Sequence, residues 1–314
     1  MDRNRLSAIV TNMYIFSGEG LLILVINVPL VLVILILQRL RERKEFLFIA
    51  GLAVGDLIYT VGYMSVSIRR IIEFEQDNDN MTATRGDCVS DISNMIFHVG
   101  TGIVGEMTLF TALDRLIATL YPIWHFKQQL QYPVIMCMIP IFISVVIMAI
   151  NYHFVMQYSS TEVVSAMCFD SSYPPFRPIF AAHRWGCIIL SAFIYVIVSI
   201  LLYKKFANHP GKGRPSQLNK QQRKNVMHAT VTMGLSTLNA VLLMLIPDVL
   251  LYFRIFATTS STYLILYSLI LNKIMVNFIL FLVRHREFRR VFVGLLSSKK
   301  RVAGLQTGWS STNK

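Results

Sequence analysis

Seven apolar runs, each long enough to cross a lipid bilayer, constrain this chain more than any other feature. A bilayer core about 30 Å thick requires roughly 20 apolar residues in a helix. Only 15% of the 314 residues are charged, whereas soluble domains carry about 25%. The pattern predicts an all-α membrane protein, a single seven-transmembrane helix bundle over residues 1–314. The runs are Gly20–Leu37, Phe46–Ile68, Ile92–Leu113, Val134–Met156, Trp185–Tyr203, Val226–Leu251 and Ile255–Val283.

Lysine and arginine are unevenly distributed between the segments that connect the runs. Residues 38–45, 114–132, 204–225 and 284–314 together hold 21 of them, whereas the segments on the other side hold eight. Because basic loops stay in the cytoplasm, we expect residues 1–19 outside the plasma membrane and the tail, 284–314, inside. The net charge of +13, in so apolar a chain, favours anionic lipid over nucleic acid as its partner.

Two features of the predicted outer loops agree with this orientation. The sequon Asn80-Met81-Thr82 can be glycosylated there. Cys88 and Cys168 also lie on this oxidising side, where a disulfide can persist. Two unpaired loop thiols are the alternative.

The stretch "LDRLIATLYPIWHF", residues 113–126, ends the third run with an adjacent acid and base. A pair at a membrane boundary can neutralise itself while touching water. The stretch resembles the Asp-Arg-Tyr motif and second cytoplasmic loop of rhodopsin-like G-protein-coupled receptors, with Leu116 in place of the tyrosine. The chain is similar in particular to nematode chemosensory serpentine receptors.

Further motifs follow in the order of that family, over about residues 20 to 297. Asn27 matches the asparagine of the first helix, and "LAVGD", Leu52–Asp56, resembles the second-helix motif. Cys88 and Cys168 look like the family disulfide. Pro247, in "MLIP", matches the proline of the sixth helix, and "NFILF", Asn277–Phe281, matches the Asn-Pro-x-x-Tyr motif of the seventh.

The resemblance implies a receptor that senses an extracellular ligand, a chemosensory cue or a peptide, and activates a heterotrimeric G protein. The residues that it assigns to coupling and activation are Asp114, Arg115, Pro122, Asn277, Phe281 and Phe288. Independently, residues 286–297 repeat apolar side chains at helical spacing among arginines. They predict a short amphipathic eighth helix on the anionic inner leaflet.

Three charges lie inside the apolar runs, Asp56, Glu106 and Lys273. Each is costly in lipid and needs a partner. Lys273 lies one helical turn before Asn277, which places it near the cavity that the resemblance assigns to Asp56. Its ammonium would replace the sodium ion that many relatives hold. Glu106 is the rival partner, and the pair can equally be a switch or a packing element.

The ligand cavity is expected in the outer half of the bundle. Phe97 occupies the place where amine receptors carry an aspartate, which disfavours an amine held by that contact. Asp248 can bind a cation, meet interfacial water or pair with Arg254. The candidate contacts are Phe97, His98, Thr101, Asp248, Tyr252, Tyr263 and Tyr267.

Other functions explain less of the sequence. A transporter or channel accounts for the intramembrane charges but not for the ordered receptor motifs. An opsin lysine stands six residues before the helix 7 asparagine, whereas Lys273 stands four before Asn277. Two residues turn a helix by about 200°, so a retinal-binding photoreceptor is disfavoured. The sequence offers no metal cluster, nucleophile triad or phosphate loop, so we expect neither an enzyme nor a cofactor.

Overall fold

The computed structural model describes residues 3–76, 82–207, 220–255, 260–285, 288–290 and 292. Asn80 and most of the basic loop and tail lie outside these residues, so the glycosylation of Asn80 remains a prediction. Within them, seven helices are long and apolar enough to cross a membrane. The predicted seven-helix bundle is therefore confirmed.

The long helices are α1 to α7 in chain order. Their bounds are α1 Arg3–Ile36, α2 Lys44–Glu75, α3 Ile92–Leu120, α4 Gln131–Tyr158 and α5 Phe176–Ala207, then a composite α6 over 220–252, and α7 Ser260–Arg284. Single-turn or two-turn helices occupy Gln38–Arg41, Arg85–Ser90 and Pro122–Lys127. The bundle is organised around α3, which contacts α2, α4, α5 and α6.

Several helices extend beyond the apolar runs that predicted them. Helix α1 begins at Arg3, although its apolar run begins at Gly20. Helix α5 begins at Phe176 and so includes Arg184, which ended the expected outer loop. Helical backbone satisfies its own hydrogen bonds whether its side chains face lipid or water. Polar residues therefore end an apolar run without ending the helix.

Helix α6 changes its winding midway. An α-helix, Lys220–Ala240, is followed by a π-helical turn, Val241–Leu245, and then by an α-helical end, Ile246–Tyr252. Pro247 lacks a backbone N–H, and its ring clashes with the preceding turn of a regular helix. The wider turn before Pro247 relieves that clash, and such π-turns are frequent at functional sites.

Two glycines set the distance between α2 and α3. A Cβ atom on Gly62 would lie 2.6 Å from Phe97 Cα, and one on Gly100 would lie 2.6 Å from Tyr59 Cα. Both distances are far inside van der Waals contact, so alanine at either position would push the helices apart. Small residues allow this close approach in membrane bundles. The approach brings the Tyr59 and Phe97 rings to 6.2 Å.

One end of the bundle, which we call the disulfide end, is covered by a small roof. Cys88 and Cys168 are joined there by the predicted disulfide, with 5.3 Å between their Cα atoms. Strand β1, Thr82–Thr84, pairs antiparallel with β2, Val163–Ser165. The roof ties the segment after α2 to the segment after α4. We call the opposite end of the bundle the Asp114 end.

The predicted eighth helix is described only in part. Residues 288–290 and 292 are helical, with Phe288 buried and Arg289 and Arg290 exposed. The Phe288 and Phe292 rings lie 5.4 Å apart. The rest of residues 286–297 lies outside the described residues.

Candidate functional site

A cavity of about 280 Å³ opens beneath the roof at the disulfide end. Helices α2 to α7 all contribute to its wall, together with the segment around Cys168. Ligand cavities in proteins measure about 300–1,000 Å³, so this space suits a small organic molecule. It is too small for the body of a folded protein.

Six of the seven candidate ligand contacts line this cavity: Phe97, His98, Thr101, Asp248, Tyr252 and Tyr267. Tyr263 is not among the lining residues, and instead stacks on Tyr267 with 6.4 Å between ring centroids. Tyr263 lies about one helical turn before Tyr267, closer to the N-terminal end of α7. His98 Nε2 lies 2.9 Å from Ser171 Oγ and 3.3 Å from Ser172 Oγ, so the segment after Cys168 holds its ring.

Four basic residues in the cavity wall were not among the sequence candidates: Arg70, Arg177, His183 and Arg184. All four had been assigned to loops, because charge marks the end of an apolar run. Helices α2 and α5 in fact continue through them. A helical projection extended past the apolar runs would have placed Arg70 and Arg184 on helices, although not in a cavity.

Asp248 forms a polar link between α6 and α5. Its Oδ2 atom accepts hydrogen bonds from the Arg184 guanidinium and from Trp185 Nε1. The expected partner Arg254 lies at the exposed end of α6, in a left-handed backbone conformation with φ of 50°. Asp248 is therefore already engaged by a cation of its own chain.

Glu106 lies fully buried between three helices. Its Oε1 atom is 2.8 Å from His183 Nε2 on α5, and its Oε2 atom accepts a hydrogen bond of 3.1 Å from Ser144 Oγ on α4. Because His183 also lines the cavity, Glu106 lies one side chain beneath the cavity wall. The rival pairing of Glu106 with Lys273 is not formed.

Lys273 instead meets Asp56 in the middle of the bundle. Its ammonium Nζ lies 2.7 Å from Asp56 Oδ1, and the two side chains are 2% and 5% exposed. The pair joins α7 to α2. Neither Asp56 nor Lys273 lines the cavity. That this ammonium replaces the sodium ion of relatives stays a prediction.

Asn277 connects α7 to α6 just below this pair. Its Oδ1 atom accepts hydrogen bonds of 2.9 Å from both Ser236 Oγ and Asn239 Nδ2. Asn239 Nδ2 also lies 2.8 Å from the Lys273 carbonyl oxygen. These bonds attach α6 to α7 immediately before the π-helical turn. Rotation of the lower part of α6 about that turn would have to break them.

At the Asp114 end, Asp114 is 0% exposed and Arg115 is 2% exposed. Arg115 Nε donates to Asp114 Oδ2 at 2.9 Å, and His125 Nε2 lies 2.9 Å from Oδ1. Lys44 Nζ donates to the carbonyl oxygen of His125. The acid therefore holds both its neighbour and the short helix that starts at Pro122.

The remaining coupling candidates lie in the apolar packing of the same end. Phe281 and Phe288 are buried within one core cluster, which also contains Phe46 and Phe48. The Arg115 guanidinium lies 6.0 Å from the Phe48 ring centroid. The coupling candidates on α3 and α7 thus meet the same core around the start of α2. Among the described residues, no group of acidic, histidine and cysteine side chains could hold a metal ion.

A seven-helix bundle with a bridged roof, a cavity beneath it and a buried Asp-Arg pair at its other end defines a serpentine receptor. A comparison with known protein families identifies which kind of serpentine receptor it is. The family model described as the serpentine type seven-transmembrane G-protein-coupled chemoreceptor Srsx matches residues 21–296. The chain therefore belongs to the Srsx family, a family of multi-pass membrane receptors rather than of enzymes. A comparison with curated proteins finds no match.

Proposed function

We propose that this chain is a plasma-membrane chemoreceptor that binds an extracellular ligand and activates a heterotrimeric G protein. The observation that carries the proposal is the position of α3. Its first half lines the cavity through Phe97, His98 and Thr101, and its last turns carry the buried Asp114–Arg115 pair. The disulfide end would then face outside and the Asp114 end the cytoplasm, as the distribution of basic residues supports.

The resting state is one in which Asp114 retains Arg115. The structure supports a restraint made within α3 and the following loop, since His125 supplies the other contact of Asp114. Many relatives add an acid on helix 6 that holds this arginine, but Met227 occupies that position here and is exposed. We expect the resting restraint to be weak and basal signalling to be measurable. A ligand shifts this equilibrium only by its differential affinity for the two states.

Activation would move the Asp114 end of α6 away from α7. The hydrogen bonds of Ser236 and Asn239 to Asn277 are the contacts that this movement must break. The π-helical turn, Val241–Leu245, marks the place where α6 can rotate. Arg115 would then leave Asp114 and meet the G protein. The short helix starting at Phe288, with Arg289 and Arg290 exposed, would lie against anionic inner-leaflet lipid.

The experiment measures basal nucleotide exchange, which needs no known ligand. Membranes that contain the full chain should accelerate GTP uptake by at least one of a panel of purified heterotrimeric G proteins, relative to mock membranes. Arg115→Ala should reduce the rate to the mock level while surface expression is retained. Arg115→Lys keeps the charge that Asp114 needs, and should also signal poorly because it loses the fork of donors.

Arg41→Ala is the matched control, because Arg41 is an exposed arginine outside the Asp114 cluster. It should leave basal exchange unchanged. Wild-type exchange at the mock level with every G protein would contradict the proposed coupling and its weak restraint. Wild-type rates in the Arg115→Ala variant would contradict the role of Arg115.

A further inference from the structure

Arg70 differs from the other cations of the cavity wall because no carboxylate of the described residues pairs with it. Its Nε atom donates to the Met167 carbonyl oxygen at 3.1 Å, and its guanidinium carbon lies 4.4 Å from the Phe169 ring centroid. A guanidinium carries five N–H donors. The four on its terminal nitrogens have no hydrogen-bond partner in the described part of the chain.

Each remaining arginine of the cavity wall has an acidic partner, whereas the lining histidine His98 is hydrogen-bonded to the hydroxyls of Ser171 and Ser172. Arg184 is bound by Asp248, and Arg177 is bound by the half-exposed Asp170. His183 lies against Glu106. These pairs contribute little net charge. The described wall therefore presents one uncompensated positive charge, that of Arg70.

The surroundings of Arg70 fix where a bound anion would lie. The residue is half-buried, and its guanidinium rests on an aromatic ring, which keeps water from one face. Ion pairs in such partly dry surroundings are stronger than in water. An arginine fork also matches the two oxygens of a carboxylate. The free donors of Arg70 thus form a site for a carboxylate group.

The rest of the cavity suits an apolar body. Aromatic side chains from several helices line the wall, and Ile147, Met244 and Ile270 add further apolar surface. Tyr59 and Phe97 form a continuous surface with Tyr267 through Tyr63, with ring centroids about 6 Å apart. The aromatic lining residues are Tyr59, Phe97, Phe169, Phe180, Tyr252 and Tyr267.

We propose that the ligand of this cavity is a small organic carboxylate with an apolar body, whose carboxylate is held by Arg70. The assignment rests on the proposed receptor function, because it names the ligand class of the same cavity. A cationic amine would meet three arginines in the wall. It would also have to compete with Arg184 for Asp248, since that carboxylate already accepts two hydrogen bonds.

The experiment measures ligand binding to the purified full-length receptor in lipid nanodiscs, without any G protein. Two sets of three probes keep the shape nearly constant and change the charge of the polar group. The aromatic set is phenylacetate, phenylacetamide and phenethylamine. The aliphatic set is hexanoate, hexanamide and hexylamine. The readout is the melting temperature at rising probe concentration. At least one carboxylate should raise it saturably, whereas the amides and amines should not.

Variants then test the residue. Arg70→Gln should weaken carboxylate binding by about tenfold to a hundredfold, the loss expected for hydrogen bonds to a charged group. Arg70→Lys should retain part of the affinity. Arg254→Gln is the matched control, because Arg254 is an exposed arginine at the same end of the bundle and does not line the cavity. It should leave the affinity of the folded receptor unchanged.

Several results would overturn the assignment. One is stabilisation by an amine or amide as strong as that by the carboxylate. Others are equal carboxylate binding in the wild type and Arg70→Gln, or no stabilisation by either carboxylate up to millimolar concentration. Since no G protein is present, failure here leaves basal nucleotide exchange intact, and failure of the coupling test leaves carboxylate binding intact.

Discussion

Two of the ion pairs that join helices in the described part of the bundle differ in their access to water. Asp56 and Lys273 connect α2 to α7, with side chains 5% and 2% exposed. Arg184 and Asp248 connect α5 to α6, with side chains 18% and 16% exposed, in the wall of the cavity. Both pairs place opposite charges in an apolar bundle, but only the second borders a space that a ligand can enter.

The difference indicates separate roles for the two pairs. Among the described residues, neither the Asp56 carboxylate nor the Lys273 ammonium has another charged partner, so we expect the bundle to need an intact pair for its stability. A charge at the Arg184–Asp248 pair can exchange its partner for water or a ligand group. We therefore expect the first pair to act mainly in packing the middle of the bundle, and the second to respond to what occupies the cavity.

The largest effect is expected from Lys273→Met. It leaves Asp56 charged and unpaired in the middle of the bundle, at a cost on the order of 3–5 kcal/mol. We expect a large fall in the melting temperature of the purified receptor, or a loss of folded protein. Asp56→Asn should have a similar effect, because it leaves the Lys273 ammonium charged and unpaired. The melting temperature in nanodiscs is the measurement.

The double variant Asp56→Asn with Lys273→Met distinguishes a paired charge from a general packing loss. It should recover part of the stability, because no charge remains uncompensated. Lys127→Met, at an exposed position, should cost little. The wild type should also melt alike in sodium and potassium chloride of equal ionic strength. A double variant no better than the worse single variant would contradict the pairing.

A smaller effect is expected from Asp248→Asn, which leaves Arg184 unpaired at the edge of the cavity. Water can reach that guanidinium, so we expect a loss of about 1.5–3 kcal/mol in stability, the range for hydrogen bonds to charged groups. The melting temperature should therefore fall less than in Asp56→Asn. Because the change adds one positive charge to the wall, it should also strengthen carboxylate binding.

Asp170→Asn supplies the control for this second site. Its pair with Arg177 is about half exposed on both sides, and exposed pairs contribute about 0–1 kcal/mol. Its effect on the melting temperature should lie below that of Asp248→Asn. If Asp248→Asn destabilised the receptor as much as Asp56→Asn, exposure would not be what separates the two ion pairs.

The sequence predicted the seven helices because each needs a long apolar segment, and length alone is decisive in lipid. It did not predict where α2 ends or where α5 begins, since Arg70 and Arg184 lie outside the apolar runs and resemble loop residues. Their partners, Phe169 and Asp248, are distant in the chain. Only the packing of the helices brings these residues together. Their spacing in the sequence therefore could not show that they line one cavity.

The pairing of Asp56 with Lys273, by contrast, could be predicted from the sequence. Each is a charged residue that interrupts an apolar run, and the motifs of the resemblance gave both helices a register. Glu106 is also a charged residue within an apolar run, so the same argument made it an equally good partner for Lys273. Its engagement by His183 and Ser144 depends on α5 extending farther than its apolar run.

The smallest effect is expected at the roof, where the hydrogen bonds of a carboxylate are exposed to water. Thr84 caps the helix Arg85–Ser90: its Oγ1 atom accepts a hydrogen bond of 3.1 Å from the Asp87 N–H. In return, Asp87 Oδ2 accepts from the Thr84 hydroxyl at 2.6 Å and from the Thr84 N–H at 3.2 Å. Thr84→Ala should cost about 1 kcal/mol at neutral pH. Thr161→Ala, at an exposed position just before β2, is the matched control.

Acid should reduce the difference between the wild type and Thr84→Ala. The hydroxyl and N–H of Thr84 lower the pKa of Asp87 below its ordinary value. A lowered pKa means that the ionised carboxylate stabilises the folded roof above the ordinary pKa, and that this stabilisation is lost as the pH falls through the folded-state pKa. Thr84→Ala removes the hydroxyl, so the pKa of Asp87 should return toward its ordinary value. The melting temperatures of the two proteins should therefore converge as the pH falls from about 4, the ordinary pKa of an aspartate, through the lower pKa of Asp87 in the folded wild type. A constant difference over that range would mean that Thr84 acts on the helix N–H alone, without stabilising the Asp87 carboxylate.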